Sequence, residues 1–171
     1  RLMSIRPSVQ AAAAYRFSAK PYRVKLDQNE SPYDLPDNLK ARVLEKLSKV
    51  SFNRYPDMQA DALKAKLAAY HGWSADELVL SGGSNILIQS LVTAAGLGQD
   101  VLTVSPTFAV YQMQAKLLDA RFTAVPLESD FSLPIVQLKE KLAAGKGVFF
   151  LAVPSAPTGN LFPEDDILEL I

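Results

Sequence analysis

The sequence contains no cysteine and only one histidine among its 171 residues. The lack of cysteine excludes a disulfide scaffold, a cysteine-ligated zinc site and a catalytic thiol. The single histidine leaves little basis for a histidine-based metal site or a zinc hydrolase. His71 itself precedes Gly72 where an amphipathic helix should end, so we interpret it as a last-turn residue near the negative end of the helix dipole.

An excess of charge of one sign and a long apolar run are also lacking. Lysine and arginine together number 18, as do aspartate and glutamate, so the formal net charge is zero. Dedicated nucleic-acid-binding proteins usually carry a basic surface, and a transmembrane helix needs about 18 or more consecutive apolar residues. We therefore expect a cytoplasmic protein with no nucleic-acid partner, no membrane partner and no metal site.

The basic residues are concentrated at the N-terminus. Residues 1–26 contain six of them and no acidic residue, which leaves 12 basic and 18 acidic residues in 27–171. An acid-free segment that contains arginine and an alanine run is compatible with a transit peptide. The simpler interpretation, which we favour, is an N-terminal arm over residues 1–35.

From residue 36 onward, helical and strand patterns alternate along the chain. Continuous apolar runs predict strands, of which the last should be the most deeply buried, at 78–80, 101–104, 122–127 and 148–153. Apolar residues at helical spacing predict helices at 37–50, 63–71, 86–95, 108–118 and 136–142, with another beginning at Pro163. This alternation predicts an α/β three-layer sandwich in which helices cover both faces of a mostly parallel sheet.

Three loops rich in small and polar residues should lie at the carboxyl ends of strands, where open α/β sheets bind ligands. They are residues 81–85, 105–108 and 154–160. In the first loop, Gly82 and Gly83 would allow a ligand to approach the backbone ahead of a helix N-terminus that can hold a phosphate. The loop matches neither the Walker A pattern nor the dinucleotide fingerprint, and a tight structural turn would also explain it.

Two aromatic residues and one proline of the loop regions have more than one interpretation. Phe108 could stack on a planar ring or belong to the core. Tyr55 could reach an anion with its hydroxyl group, or it could be an ordinary loop tyrosine. The Ala156–Pro157 bond is a candidate for the cis isomer.

Five segments resemble, in chain order, motifs of the fold-type I pyridoxal-phosphate-dependent aminotransferases, and most closely those of the histidinol-phosphate aminotransferases. The family patterns are L-D-x-N-E-N/S-P, N-R-Y-P-D/E, S-x-G-A/S-D/N, x-P-T-F/Y and the end of N-P-N-N-P-T-G. The matching segments are Leu26–Pro32, Asn53–Asp57, Ser81–Asn85, Ser105–Phe108 and Pro157–Gly159. The resemblance covers residues 26–171.

The resemblance implies that residues 36–171 are the N-terminal part of the large domain of such an enzyme. Gly83, Ser84 and Asn85 would then hold the phosphate of pyridoxal 5'-phosphate, and Phe108 would stack on its pyridine ring. Tyr55 would reach across a homodimer interface to the partner's cofactor phosphate. The resemblance also implies that Asn29 lies near the substrate, and that the enzyme transfers an amino group from histidinol phosphate to 2-oxoglutarate in histidine biosynthesis.

The sequence departs from the family at Ala156 and at its end. Ala156 stands where the family has an asparagine that contacts the cofactor's 3-oxygen. The chain stops at Ile171, a couple of turns into its last helix, so we expect a C-terminal truncation. The Schiff-base lysine, the aspartate facing the ring nitrogen and the carboxylate-binding arginine are expected beyond Ile171. We therefore assign no catalytic residue within the chain and expect the chain alone to be inactive.

Three other functions remain open at this point. A related aromatic aminotransferase or phospho-amino-acid decarboxylase would share the same scaffold. An α/β module that binds a phosphate without covalent chemistry would explain the glycine turn, although not the Asn53–Asp57 or Pro157–Gly159 segments. A catalytically inactive relative of the aminotransferases would be consistent with Ala156.

Overall fold

The computed structural model describes residues 4–12 and 23–171. The predicted N-terminal arm and the alternative transit peptide therefore lie partly outside the described residues. The chain divides into two compact units, one of residues 15–80 and a larger one of residues 1–14 and 81–171. The predicted division into an arm of residues 1–35 and a domain from residue 36 stays a prediction.

The described helices and strands follow the predicted alternation. The helices are α1 (Pro7–Gln10), α2 (Asp37–Leu47), α3 (Asp61–His71), α4 (Ser84–Leu91), α5 (Val110–Leu117), α6 (Ile135–Ala144) and α7 (Glu164–Leu168). The strands are β1 (Asp100–Ser105), β2 (Arg121–Pro126) and β3 (Gly147–Phe150). A short 3₁₀ helix spans Ala75–Glu77, and a π-helical turn over Val92–Gly96 continues α4.

The smaller unit contains α2, α3 and the 3₁₀ helix. Helix α3 ends at His71 as predicted, because Gly72 adopts the left-handed conformation with φ +72° that glycine accepts readily. The strand predicted at 78–80 is wrong. These residues are irregular, and the side chain of Val79 is 71% exposed. A strand needs a hydrogen-bonded neighbour, and the described residues of this unit contain no other strand to pair with.

The larger unit is built on a parallel sheet with the strand order β2-β1-β3. The four central residues of β1 are all buried, whereas only Phe150 is buried in β3. The prediction that the 148–153 strand would be the most deeply buried is therefore wrong. Strand β1 has a neighbour on each side, while β3 pairs on one side and ends at Phe150.

Side chains of β1 alternate between two apolar layers, as the period of two in a strand requires. Val101 packs with residues of α4, the π turn and α5 in one cluster: Ile88, Val92, Tyr111 and Ala115. Leu102 and Val104 pack on the other face in a second cluster, with Val125, Leu133, Leu138 and Phe162. Ile167 of α7 packs against this second cluster. Helices thus cover both faces of the sheet, which confirms the predicted α/β three-layer fold.

The N-terminal segment is attached to the end of α5 by polar contacts. Arg6 forms an ion pair with Asp119 at 3.0 Å and donates a second hydrogen bond to the carbonyl oxygen of Leu117 at 2.8 Å. Ser8 donates to the same Asp119 carboxylate at 3.2 Å. These contacts hold α1 against the turn between α5 and β2.

Candidate functional site

The first predicted loop forms a turn that only glycine tolerates well. Gly83 has φ +107° and ψ +157°, a backbone region that is occupied almost only by glycine. The hydroxyl group of Ser81 donates a hydrogen bond of 2.6 Å to the carbonyl oxygen of Gly83. The turn leads directly into α4, although the strand predicted before it is not formed.

The N-terminus of α4 leaves main-chain donors accessible. No side chain caps this helix, and Ser84 and Asn85 in its first turn are exposed. The first N–H groups of a helix lack partners within the helix, and the helix dipole adds positive potential there. An anion placed at this turn would therefore find main-chain donors without any charged side chain.

The backbone at the two glycines borders open space. A Cβ atom added to Gly82 or to Gly83 would meet nothing within 4 Å, so a ligand can approach the backbone closely. Gly83 requires glycine because of its conformation, whereas Gly82 has no such requirement. The local geometry is thus suited to the phosphate of a cofactor held by amides at a helix N-terminus.

Phe108 lies two residues before α5, not within the helix as predicted. Its side chain is 37% exposed, and its ring meets Tyr111 edge-on at a centroid distance of 5.7 Å. Tyr111 is buried and stacks on Phe150 at 4.7 Å with an interplanar angle of 5°. Phe108 is therefore anchored to the core at one edge while part of its ring remains accessible to a planar group.

Burial also affects the ionisation of the phenol that supports Phe108. Desolvation raises the pKa of Tyr111 above its usual value, because the phenolate form loses more solvation than the neutral form. The phenol is thus neutral at physiological pH. The sequence offered no signal that separated Tyr111 from other core aromatics.

The third loop follows β3 and contains a buried serine, Ser155. The Ala156–Pro157 bond is cis, as predicted, and the bonds preceding Pro106 and Pro154 are cis as well. Ser155 is buried, and its hydroxyl oxygen accepts a hydrogen bond from Thr158 Oγ1 at 2.6 Å.

Two main-chain bonds close this third loop. The Ser155 N–H donates to the carbonyl oxygen of Asn160 at 2.9 Å, and the Gly159 N–H donates to the carbonyl oxygen of Ser155 at 2.7 Å. The side chain of Ala156 offers no donor or acceptor. Ser155 is thus the buried polar side chain closest to Ala156 in the sequence. The sequence analysis did not single out Ser155.

Tyr55 and Asn29 belong to the smaller unit. The side chain of Tyr55 is 96% exposed, and that of Asn29 is exposed on a backbone with φ +54°, which asparagine tolerates better than most residues. Lys25 forms ion pairs with Glu30 and Asp27 on either side of Asn29, and the hydrogen bond from Lys25 to Glu30 raises the pKa of Lys25. The roles assigned to Tyr55 and Asn29 stay predictions.

A cavity of about 570 Å³ lies at the opposite, amino end of the strands. Its lining includes Asp100 and Arg121. The Nε and Nη2 atoms of Arg121 donate hydrogen bonds to the carboxylate of Asp100 at 2.9 and 3.2 Å. Gly147 also lines it. None of the predicted site residues contributes to this cavity.

Residues 4–12 and 23–171 contain neither a candidate metal centre nor a candidate membrane span. No group of three or more acidic or histidine residues in these ranges could hold a metal ion. No helix within them has the length and apolar character needed to span a bilayer.

Comparison with known proteins identifies the family to which the chain belongs. Residues 22–171 match the family model described as aminotransferase class I and II. The chain therefore belongs to the aminotransferase class I and II family. Within that family, several curated relatives that it matches are named histidinol-phosphate aminotransferase. The protein of that name from Deinococcus radiodurans is 43% identical over 168 residues, which cover 98% of this chain and 46% of the relative.

Two further comparisons concern a second relative and a solved structure that shares the fold. The histidinol-phosphate aminotransferase of Thiocapsa roseopersicina is 39% identical, over 98% of this chain and 90% of that protein. The crystal structure of the Sinorhizobium meliloti enzyme of this name, in complex with pyridoxal-5'-phosphate, shares the fold with a TM-score of 0.80. It is 18% identical, with 97% of this chain and 46% of that chain covered. The chain thus spans about half the length of most curated relatives that it matches.

Proposed function

We propose that this chain carries the phosphate-binding part of a pyridoxal-phosphate-dependent aminotransferase that acts on histidinol phosphate. The observation that carries the proposal is the turn at Gly83, which presents uncapped amides of α4 in an open space. The family match over residues 22–171 and the names of the relatives support the choice of cofactor and substrate.

The described residues have distinct tasks in this proposal. The main-chain N–H groups at Ser84 and Asn85 bind the cofactor phosphate, and Gly83 provides the conformation that exposes them. Phe108 packs on one face of the cofactor ring, and Tyr111 restrains Phe108 through their edge contact. When bound, pyridoxal phosphate supplies the electron sink for amino-group transfer, while the protein positions it.

The proposal extends to partners and location. The second substrate is 2-oxoglutarate, and the enzyme is a cytoplasmic homodimer in which Tyr55 binds the cofactor phosphate of the partner. The high exposure of the Tyr55 side chain is compatible with a contact of this kind. Asn29 contacts the substrate. None of the lysines in the chain stands in the family's sequence context for the cofactor-bearing lysine, so the 171 residues assayed alone should not transaminate.

The test is a pair of measurements on the full-length protein. Pyridoxal phosphate should bind and produce a visible absorption band, and histidinol phosphate with 2-oxoglutarate should yield glutamate. Phenylalanine and threonine phosphate serve as comparison substrates, because a preference for either would identify an aromatic aminotransferase or a phospho-amino-acid decarboxylase instead. Binding of a nucleotide without binding of pyridoxal phosphate would contradict the proposal.

The alanine at position 156 favours one second candidate, an inactive relative kept for another purpose. The methyl group at this position cannot donate a hydrogen bond to the cofactor, unlike the asparagine of the family. A full-length protein that binds pyridoxal phosphate and does not turn over, but becomes active as Ala156→Asn, would support this second candidate. Measurable turnover by the parent protein, unchanged in Ala156→Asn, would exclude it.

A further inference from the structure

Ser81 is attached to the phosphate-binding turn by one hydrogen bond with a defined geometric consequence. Its hydroxyl group donates to the carbonyl oxygen of Gly83 at 2.6 Å. The position of that oxygen is set by the ψ angle of Gly83, which is +157°. The hydrogen bond therefore restrains a torsion in the residue that precedes α4.

The same peptide group carries the first amide of the helix. A trans peptide is planar, so its C=O and N–H bonds point in opposite directions. The bond between Gly83 and Ser84 is not among the cis bonds of the described residues. Holding the Gly83 oxygen towards Ser81 thus directs the Ser84 N–H away from Ser81. No side chain caps this end of the helix.

Glycine makes this restraint necessary. With no Cβ atom, Gly83 populates a wide range of φ and ψ values, and nothing lies within 4 Å of the space where a side chain would be. Neither a contact at the Cβ position nor a capping side chain therefore adds to the restraint that the helix itself places on this peptide. Within the described structure, the hydrogen bond from the Ser81 hydroxyl group is the side-chain contact that restrains the Gly83 carbonyl oxygen.

We propose that Ser81 is a positioning residue that orients the Ser84 amide for the cofactor phosphate. This inference rests on the proposed function, since it assumes that the phosphate binds at the turn. Ser81 does not contact the cofactor in this proposal. It acts by keeping the amide preorganised, so its loss should weaken binding of the phosphate group selectively.

The experiment compares variants of the full-length protein in their binding of pyridoxal phosphate and of pyridoxal, which lacks the phosphate. Ser81→Ala should weaken binding of pyridoxal phosphate about three- to tenfold, as expected for one hydrogen bond, and should leave pyridoxal binding unchanged. Ser81→Thr keeps the hydroxyl and should restore the affinity. Ser90→Ala is the matched control, because Ser90 also donates to a main-chain carbonyl on α4, that of Ile86 at 2.9 Å, but away from the turn.

A second readout separates positioning from general stability. The phosphorus NMR resonance of bound pyridoxal phosphate should shift in Ser81→Ala and stay in place in Ser90→Ala. Without the cofactor, both variants should keep the thermal midpoint of the parent. Equal affinity of Ser81→Ala and the parent would overturn the inference, as would an equal loss for pyridoxal. A parent protein that fails to bind pyridoxal phosphate would overturn the proposed function, and this inference with it.

Discussion

Replacing Gly147 with alanine should destabilise the protein more than the same change at Gly82 or Gly83. Gly147 is the first residue of β3 and pairs with Asp100 of β1. Its φ of +142° lies in a region that residues with a side chain rarely adopt. A Cβ atom at this position would overlap the carbonyl oxygen of Asp100 and lie 2.8 Å from its main-chain nitrogen, whereas real Cβ contacts are almost never shorter than 3.0 Å.

The cost follows from the two parts of this conflict. Forcing alanine into the observed φ costs about 1–3 kcal/mol. Relieving the contact requires β3 to move by about 1 Å from Asp100, and such overpacking costs typically about 1–3 kcal/mol. The movement also weakens the bond from the Asp100 N–H to the Lys146 carbonyl oxygen, which is 2.9 Å long. We expect a total loss of about 2–6 kcal/mol in the free energy of unfolding.

Equilibrium unfolding in urea measures this loss directly. Gly82→Ala is the matched control, because its Cβ atom meets nothing within 4 Å and its φ is not in the glycine region. The control should change the free energy of unfolding by less than about 0.5 kcal/mol. A Gly147→Ala protein whose free energy of unfolding lies within about 1 kcal/mol of the parent, roughly the effect of an ordinary single mutation, would refute the reasoning.

Three further predictions concern other parts of the molecule. Gly83→Ala should weaken the binding of pyridoxal phosphate about tenfold or more, measured by absorption titration, because alanine strains the turn by about 1–3 kcal/mol; Ser90→Ala, away from the turn, should bind within about threefold of the parent. Leu138→Ala removes a fully buried side chain and should cost about 2–5 kcal/mol in urea unfolding, whereas Val136→Ala on the exposed side of the same helix should cost little. Arg6→Gln removes an exposed ion pair and should cost less than about 1 kcal/mol, a difference that shrinks further in high salt; a larger, salt-independent loss would contradict this assignment.

The elements that the sequence predicted correctly have strong local signals. The apolar runs of β1 and β2 and the glycine that ends α3 identify these elements without knowledge of their neighbours. The run at 78–80 looks similar to a strand, but an apolar tripeptide does not show whether another strand lies beside it. The relative burial of β1 and β3 was predicted wrongly for the same reason, because burial depends on the order of strands in the sheet.

Within the candidate site, the sequence indicated the glycine turn and Phe108 but not the residues that support them. Ser81 acts through a bond to a carbonyl oxygen two residues later, and serine is too common in loops for its presence to signal this. Tyr111 is distinguished by its position between Phe108 and Phe150, which is a tertiary property. Gly147 is needed because the backbone of Asp100 passes beside it, and no local pattern reports that approach.

The attachment of the N-terminal segment to the end of α5 has a consequence for the order of folding during synthesis. Arg6 and Asp119, which form the ion pair, are 113 residues apart in the chain. At ribosomal rates of about 5–20 residues per second, Asp119 is made roughly 6–23 s after Arg6. The segment around Arg6 therefore waits without these contacts until α5 and the turn after it have been made.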